Sequence, residues 1–185
     1  MGERPMKTAF PKTPHHNTYW VITGRLLAGE YPGDRSEAPA LAKLGPFIEC
    51  GVDSFLDLTG PQELVPYAHL LGRLNGSKPG GLCHKRHWIP DMGVPDRPET
   101  MRAIQLEIRN WLEAGRCVYV HCWGGVGRTG TVIGCQLVEQ GLSGTAALAR
   151  MVEFWKGVSD DKRRRHPRSP QTDEQEAYVR SWIPG

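Results

Sequence analysis

Apolar positions recur along the chain in two rhythms, period two and period 3.6, and the segments that carry them alternate. TYWVITGRLLAGEYPGD reads as two short strands around a Thr23-Gly24 turn, ending in a Pro-Gly loop. Leu41, Leu44, Phe47 and Ile48 have helical spacing, Gly51 is the C-terminal stop, and VDSFLDL behind it is an apolar run of strand length. Residues 61 to 75 are expected to form another helix opened by Pro61, SKPGG a turn, and HKRHWIP a strand that runs into the loop DMGVPDRP. PETMRAIQLEIRNWLEAG puts Met101, Ile104, Ile108, Trp111 and Leu112 on one face of an amphipathic helix closed by Gly115. RCVYVHC is a short strand of buried character, TGTVIGCQLVEQG a mostly apolar helix, and Ser143 caps the next helix, which runs through about Trp155. This order predicts an α/β fold, a central, mostly parallel sheet flanked by helices, with ligands at the carboxyl ends of its strands.

Length and composition narrow the picture. A chain of 185 residues with ordinary apolar and charged fractions fills one core, so a single domain is expected over residues 19–185. Residues 1–18, rich in Pro, Lys and His and without periodicity, are expected to be an arm that wraps the domain or stays mobile. The formal charge of +3 favours acidic or phosphorylated ligands only weakly and gives little support for nucleic acid as a partner. Cys50, Cys83, Cys117, Cys122 and Cys135 form no C-x-x-C pair and are odd in number, which argues against a disulfide framework and a zinc ribbon and for a reducing cytosol. The first thirty residues hold no apolar h-region, and no stretch approaches the ~18 apolar residues of a membrane span. Met1-Gly2 lacks the Ser or Thr that a myristoylation signal wants at position 6, where Met stands. A cytoplasmic protein with no membrane partner is expected.

The chemistry concentrates in VHCWGGVGRTG, residues 120–130. A glycine-rich turn between a strand and a helix aims backbone N–H groups at an anion. A Walker loop would need Lys before Ser or Thr, and Arg128-Thr129 supplies no lysine. Gly125-x-Gly127-x-x-Gly130 has dinucleotide-loop spacing, but the region near residue 150, where a strand ending in an acid is required, reads as helix. A third reading uses every polar residue. Cys122 sits at the floor of the turn, where a helix N-terminus and Arg128 favour its thiolate, and Arg128 offers a planar fork to two phosphate oxygens. Thr129 donates its hydroxyl to the sulfur. His121 orders the loop through hydrogen bonds rather than acting as a base. Trp123, Gly124, Gly125, Val126 and Gly127 supply the phosphate cup, and Trp123 either lines it or packs into the core.

HCWGGVGRT resembles the H-C-x5-R-[ST] signature of the cysteine-dependent protein tyrosine phosphatase superfamily, and its GxGRTG ending is similar to the dual-specificity branch. GRLLAGEYP is similar to the first strands of small dual-specificity phosphatases. The resemblance implies a phosphatase-like α/β fold and a metal-free, cofactor-free phosphomonoesterase working through a cysteinyl-phosphate. It also implies a general acid about 30 residues before the cysteine. HWIPDMGVP resembles that W-P-D-x-G-x-P loop, with Ile89 in place of Trp, and makes Asp91 the acid; Asp96 in VPDRP is the rival. SPQTDEQEAY is similar to the Q-T-x-x-Q segment that positions the hydrolytic water and maps onto Gln171, Thr172 and Gln175, of which Gln175 is expected to hold the water. A cap on a last helix, from Ser169 or Thr172, is the competing reading of the same stretch. Asp57 either hydrogen-bonds the signature loop or satisfies nearby backbone amides.

The loop between Cys122 and Arg128 carries none of the lysines that inositol-lipid phosphatases of the superfamily use, which points to phosphotyrosine in proteins or peptides, with phosphoserine and phosphothreonine left open. Inositol-polyphosphate or RNA 5′-triphosphate hydrolysis, and phosphoprotein binding without turnover, are the alternatives. Lys162-Arg163-Arg164-Arg165 is read as a solvated connection between the last two helices, or else as a docking patch for acidic stretches around a phosphosite.

Overall fold

The structure, a computed structural model, describes residues 12–74 and 80–185. In chain order its elements are β1 (Thr18–Ile22), β2 (Leu26–Gly29), α1 (Glu37–Glu49), β3 (Ser54–Asp57), α2 (Ala68–Leu71) and β4 (Cys83–Arg86). They continue with α3 (Pro98–Glu113), β5 (Val118–His121), α4 (Gly127–Glu139), α5 (Gly144–Trp155), α6 (Asp160–Arg165) and α7 (Asp173–Ser181). The strands form one sheet in the order β1-β2-β5-β3-β4, in which β2, β5, β3 and β4 run parallel and β1 lies antiparallel to β2. Gly29, His121, Asp57 and Arg86 stand side by side in register, each the last residue of its strand. The carboxyl edge of four parallel strands therefore lies along one line, the place where such sheets bind ligands.

Strand alternation sends successive side chains to opposite faces. Leu26, Ala28, Leu56, Val118 and Val120 join the core beneath α3, α4, α5 and α7, which includes Met101, Ile104, Ile108, Val132, Ile133, Met151 and Val179. Leu27, Phe55 and Tyr119 face the other way, into a second core with Ala40, Leu44 and Phe47 of α1 and Leu70 and Leu71 of α2. The three inner strands β2, β3 and β5 are buried throughout and so carry no alternation of buried and exposed positions, while edge strand β4 is polar and partly exposed.

Ser143 caps α5, its Oγ accepting the Ala146 N–H at 3.2 Å. The helix expected over residues 61 to 75 does not form as such: α2 is a single turn over Ala68–Leu71, and residues 75–79, with most of the SKPGG turn, lie outside the described residues. Pro66 accounts for the loss, since it steers Val65 away from helical backbone and brings no N–H to a helix through it. Strand β4 begins one residue earlier than HKRHWIP and ends at Arg86. The basic run is not a loose connection. Residues Asp160–Arg165 form α6, capped by Ser159 Oγ on the Lys162 N–H at 3.2 Å, with two aspartates in its first turn and the cations after them, the order that the helix dipole favours.

Of the N-terminal arm, residues 1–11 lie outside the described residues. The rest is bonded to the body: Trp20 Nε1 donates to Lys12 O at 3.0 Å, Ser159 N to His16 O at 3.1 Å, and Ser159 Oγ to Asn17 Oδ1 at 2.7 Å.

Candidate active site

Strand β5 delivers His121 to the sheet edge, and the chain turns through residues 122–126 before α4 begins at Gly127. Cys122 is 3% exposed, and its Sγ accepts the Gly125 N–H at 3.2 Å. Gly125 has φ +68°, and a Cβ there would fall 2.5 Å from the Glu30 backbone nitrogen, so both the turn and the approach of β2 demand glycine. Tyr31 N donates to Trp123 O at 2.9 Å and fixes the loop against the chain that leaves β2.

Arg128, in the first turn of α4, is 2% exposed. Both nitrogens of its fork engage Glu63, Nη1 to Oε2 at 2.8 Å and Nη2 to Oε1 at 2.6 Å, while Asp91 Oδ1 lies 2.9 Å from Nη2. Nη1 also donates to the carbonyls of Leu58 and Ile89, at 3.4 and 3.3 Å. The guanidinium is thus held in one orientation beside the cysteine, and in return it keeps the Glu63 carboxyl below the ordinary carboxylate range. No motif marks Glu63 in the sequence.

Cys122, Trp123, Gly124, Val126, Gly127, Arg128, Asp91, Met92 and Gln171 line one cavity of about 440 Å³, together with Glu30, Lys162, Arg165 and His166. A neighbouring cavity of about 630 Å³ runs between the β2 exit and residues 62–65 and shares Glu30 and Trp123 with the first. The smaller one brings together the sequence-predicted Cys122, Arg128, Asp91 and Gln171. Trp123 is 58% exposed at the rim, which settles its placement against the core. Asp91 reaches the cavity and Asp96 does not: Asp96 is exposed on the loop before α3.

Two side chains meet partners other than those expected, and the open reading of Asp57 is narrowed. The Thr129 hydroxyl oxygen lies 3.5 Å from Gly29 O, at the end of β2. Gln175 is fully buried and outside the cavity lining; its Nε2 donates to Gly93 O at 2.9 Å, and its Oε1 accepts Gln171 N at 3.1 Å and Thr172 N at 3.2 Å. Thr172 and Gln175 form a capping box at the start of α7, which leaves Gln171 as the glutamine on the cavity wall. Of the two readings of Asp57, the structure matches the one in which it satisfies a nearby backbone amide. It accepts from Thr59 N at 2.8 Å, Thr59 Oγ1 at 2.6 Å and Arg86 Nη2 at 2.8 Å, and comes within 4.0 Å of His121 Nδ1.

His121 is fully buried, and that burial pushes its imidazole down to about 4, against the opposing pull of Asp57. The ring is therefore neutral at pH 7. Nδ1 lies 3.2 Å from the Cys122 carbonyl, an acceptor, so it carries the proton, and Nε2 accepts from the Tyr67 hydroxyl at 2.7 Å. Both ring nitrogens are therefore occupied, Nδ1 by the backbone of the signature loop. Against the burial that opposes ionisation, His84, whose Nε2 lies 3.5 Å from Oδ2, and the hydrogen bonds from Thr59 hold the Asp57 carboxyl well below the usual range.

A cysteine at the floor of an amide-lined turn, an arginine fork on one wall and a carboxyl facing that fork define the class of cysteine-dependent phosphatase domains on a mostly parallel α/β sheet. Residues 15–179 match the family model described as PTP-SAK, Swiss Army Knife protein, DSP-PTPase phosphatase domain, and the chain belongs to that family, within the cysteine-dependent protein tyrosine phosphatase superfamily. Human receptor-type tyrosine-protein phosphatase H is 41% identical over 75 residues, a match that spans 36% of this chain and 7% of that protein. Among solved structures, a mutant form of Tk-PTP aligns with a TM-score of 0.63 at 25% identity, covering 86% of this chain and 90% of its own. PTPMT1 in complex with PI(5)P gives 0.64 at 16% identity over 89% and 92% of the two chains. The core catalytic domain of the PP-IP phosphatase SIW14 from S. cerevisiae gives 0.63 at 16% identity over 93% and 88%. The last two likenesses are of fold. Among the described residues, no helix is long and apolar enough to cross a membrane.

Proposed function

We propose that this phosphatase-family chain hydrolyses phosphotyrosine in proteins or peptides, and phosphoserine and phosphothreonine more slowly, through a cysteinyl-phosphate. The observation that carries the reading is the triangle at the cavity floor: Cys122 Sγ bonded to the Gly125 N–H at 3.2 Å, Arg128 beside it, and Asp91 2.9 Å from Arg128. In the first step the Cys122 sulfur, as thiolate, bonds to phosphorus while the P–O ester bond breaks, and Asp91 gives its proton to the departing oxygen. In the second, Asp91 takes a proton from water as the water oxygen bonds to phosphorus and the S–P bond breaks. Arg128 and the loop amides meet the phosphoryl charge throughout, already oriented by Glu63 and by the turn. Gln171, on the cavity wall, is assigned the water; Gln175 holds Gln171 and the acid loop in place.

Phosphotyrosine is favoured by the exposed apolar rim of Trp123 and Met92, on which a phenyl ring can rest, and by a signature loop without lysine. The test is vanadate-sensitive hydrolysis, without added metal, of an aryl phosphate, phosphotyrosine, phosphoserine and phosphothreonine peptides, an inositol polyphosphate and an RNA 5′-triphosphate, with Cys122→Ser as control. Turnover of the aryl phosphate and the phosphotyrosine peptide, lost in Cys122→Ser, is expected. Turnover that survives Cys122→Ser would refute the mechanism, and a preference for either polyphosphate would move the substrate class. A chain that binds the phosphopeptide without turning it over would be a binding module instead.

A further inference from the structure

The cavity around Cys122 carries basic side chains in addition to Arg128. Beyond Arg128, its lining includes Lys162 and Arg165 of α6 and His166 just after it. Lys162 is 5% exposed, although lysine is seldom buried unless paired. Its Nζ pairs with Glu30 Oε2 at 3.0 Å and stands 3.8 Å from where a Cβ on Gly124 would be, so the ammonium borders the signature loop. Glu30 is divided among three partners, since it also accepts from Asn17 Nδ2 at 3.1 Å and lies 3.3 Å from His15 Nδ1. An ammonium has three donors, and the Glu30 bond uses one of them. Arg165 leans on Asp161 through Nε at 3.1 Å and Nη2 at 2.5 Å, both to the same oxygen, and still reaches the cavity wall. Burial, then the nearby Lys162 and Arg165, hold the His166 imidazole below its ordinary range. The carboxylates on the same lining are Glu30, already shared, and Asp91, which faces Arg128.

Arg128 and the loop amides suffice for the phosphoryl group under attack. We propose that Lys162, Arg165 and His166 form a second anion subsite in this cavity, which takes a phosphate carried on the same molecule as the ester that Cys122 cleaves. The inference rests on the assignment of Cys122 as the nucleophile. A cavity of about 440 Å³ falls within the ordinary range for small-molecule sites, so both groups fit one enclosure. The second phosphate has two sources, a phosphorylated residue next to phosphotyrosine in a peptide or a further phosphate on a cyclitol ring.

Two substrate pairs separate these sources: singly and doubly phosphorylated peptides of one sequence, and an inositol monophosphate with an inositol polyphosphate. The readout is the ratio of kcat/KM within a pair, which cancels any loss of folded protein. The wild type is expected to favour the doubly charged member of one pair by about tenfold or more, and the pair that responds names the source. Arg165→Gln, at a half-exposed side chain that folding tolerates, and Lys162→Gln are each expected to lower that ratio about fivefold or more. Ratios near one in both pairs of the wild type, or a ratio that neither variant moves, would overturn the subsite while leaving the phosphatase reading intact. Absence of any Cys122-dependent turnover of the aryl phosphate would instead overturn that reading, and the subsite with it.

Discussion

Replacing Gln175 by alanine separates two roles that the Q-T-x-x-Q stretch confounds. The change removes the hydrogen bond to Gly93 O at 2.9 Å and the two that Oε1 accepts from Gln171 N and Thr172 N, at 3.1 and 3.2 Å. Three bonds at roughly 0.5–1.5 kcal/mol each, one of them part of the α7 cap, place the cost at about 3 kcal/mol. For a chain of this size that lowers Tm by roughly 6–12 °C. Gly93 lies two residues beyond Asp91, so the acid loop is loosened as well. Phenyl phosphate, whose leaving oxygen needs a proton, is expected to lose more rate than p-nitrophenyl phosphate, whose leaving group needs it less. Gln171→Ala should behave in the opposite way, keeping Tm within about 1 °C while slowing breakdown of the phosphoenzyme, seen as a burst of nitrophenol before a slow steady state. Scanning calorimetry and rapid-quench kinetics on the two variants decide the matter. A Gln175→Ala protein that melts like the wild type and shows the burst, beside a Gln171→Ala protein without one, would refute the reasoning and return the water to Gln175.

Asp91→Asn is expected to lower kcat on phenyl phosphate by roughly 10²-fold or more and Asp96→Asn to leave it near wild type, because Asp91 faces Arg128 in the cavity and Asp96 lies outside it; the reverse pattern would reassign the acid. Gly125→Ala combines a left-handed backbone with a Cβ 2.5 Å from the Glu30 nitrogen, and a destabilisation of about 3 kcal/mol or more is expected in urea unfolding. Gly124→Ala meets nothing nearer than Val126 Cγ2 at 3.6 Å and should unfold near the wild-type midpoint; equal midpoints for the two variants would contradict the close approach of β2. His121 has its folded value depressed to about 4 from an ordinary 6.5, so as pH falls the unfolded chain takes the proton first. The stability it contributes is complete above about pH 6.5 and drains toward pH 4, by about 3 kcal/mol. Urea midpoints of wild type and His121→Asn between pH 7 and pH 4.5 should show a shallower slope for the variant, and parallel slopes would remove the claim.

The elements that carry a full hydrophobic period were legible. Met101, Ile104, Ile108 and Trp111 are buried on α3, and the unbroken apolar run of β5 lies at the sheet centre. The helix expected over residues 61 to 75 was placed by Pro61 as its opener, while Pro66 breaks it through backbone geometry alone, which hydrophobicity does not register. Candidate site residues were legible where they stand at a fixed local spacing, as from Cys122 to Arg128, which line one cavity. They were invisible where a side chain serves the site through space. Glu63, Glu30 and Tyr67 are ordinary letters in the chain, and each reaches its partner only once the sheet has aligned its strands. Thr129 and Gln175 meet partners other than those expected, since a hydroxyl or an amide names no acceptor until the backbone around it is placed.

The sheet order explains why four distant stretches meet. Strands β2, β5, β3 and β4 are parallel neighbours, so the residues that follow them emerge at one edge. Glu30 leaves β2, Cys122 leaves β5, Leu58 and Glu63 follow β3, and Asp91 follows β4. Arg128 closes the arrangement by bonding to residues after β3 and after β4 at once, through Leu58 O, Glu63, Ile89 O and Asp91. A guanidinium held from two loops cannot follow either loop alone. Its orientation is therefore set by the register of the whole parallel array, and a shift of β3 against β4 would misplace Arg128 and Asp91 together. In the proposed reaction that coupling is preorganisation supplied by the fold, since the donors are aimed before a phosphoryl group arrives and need little rearrangement as charge moves.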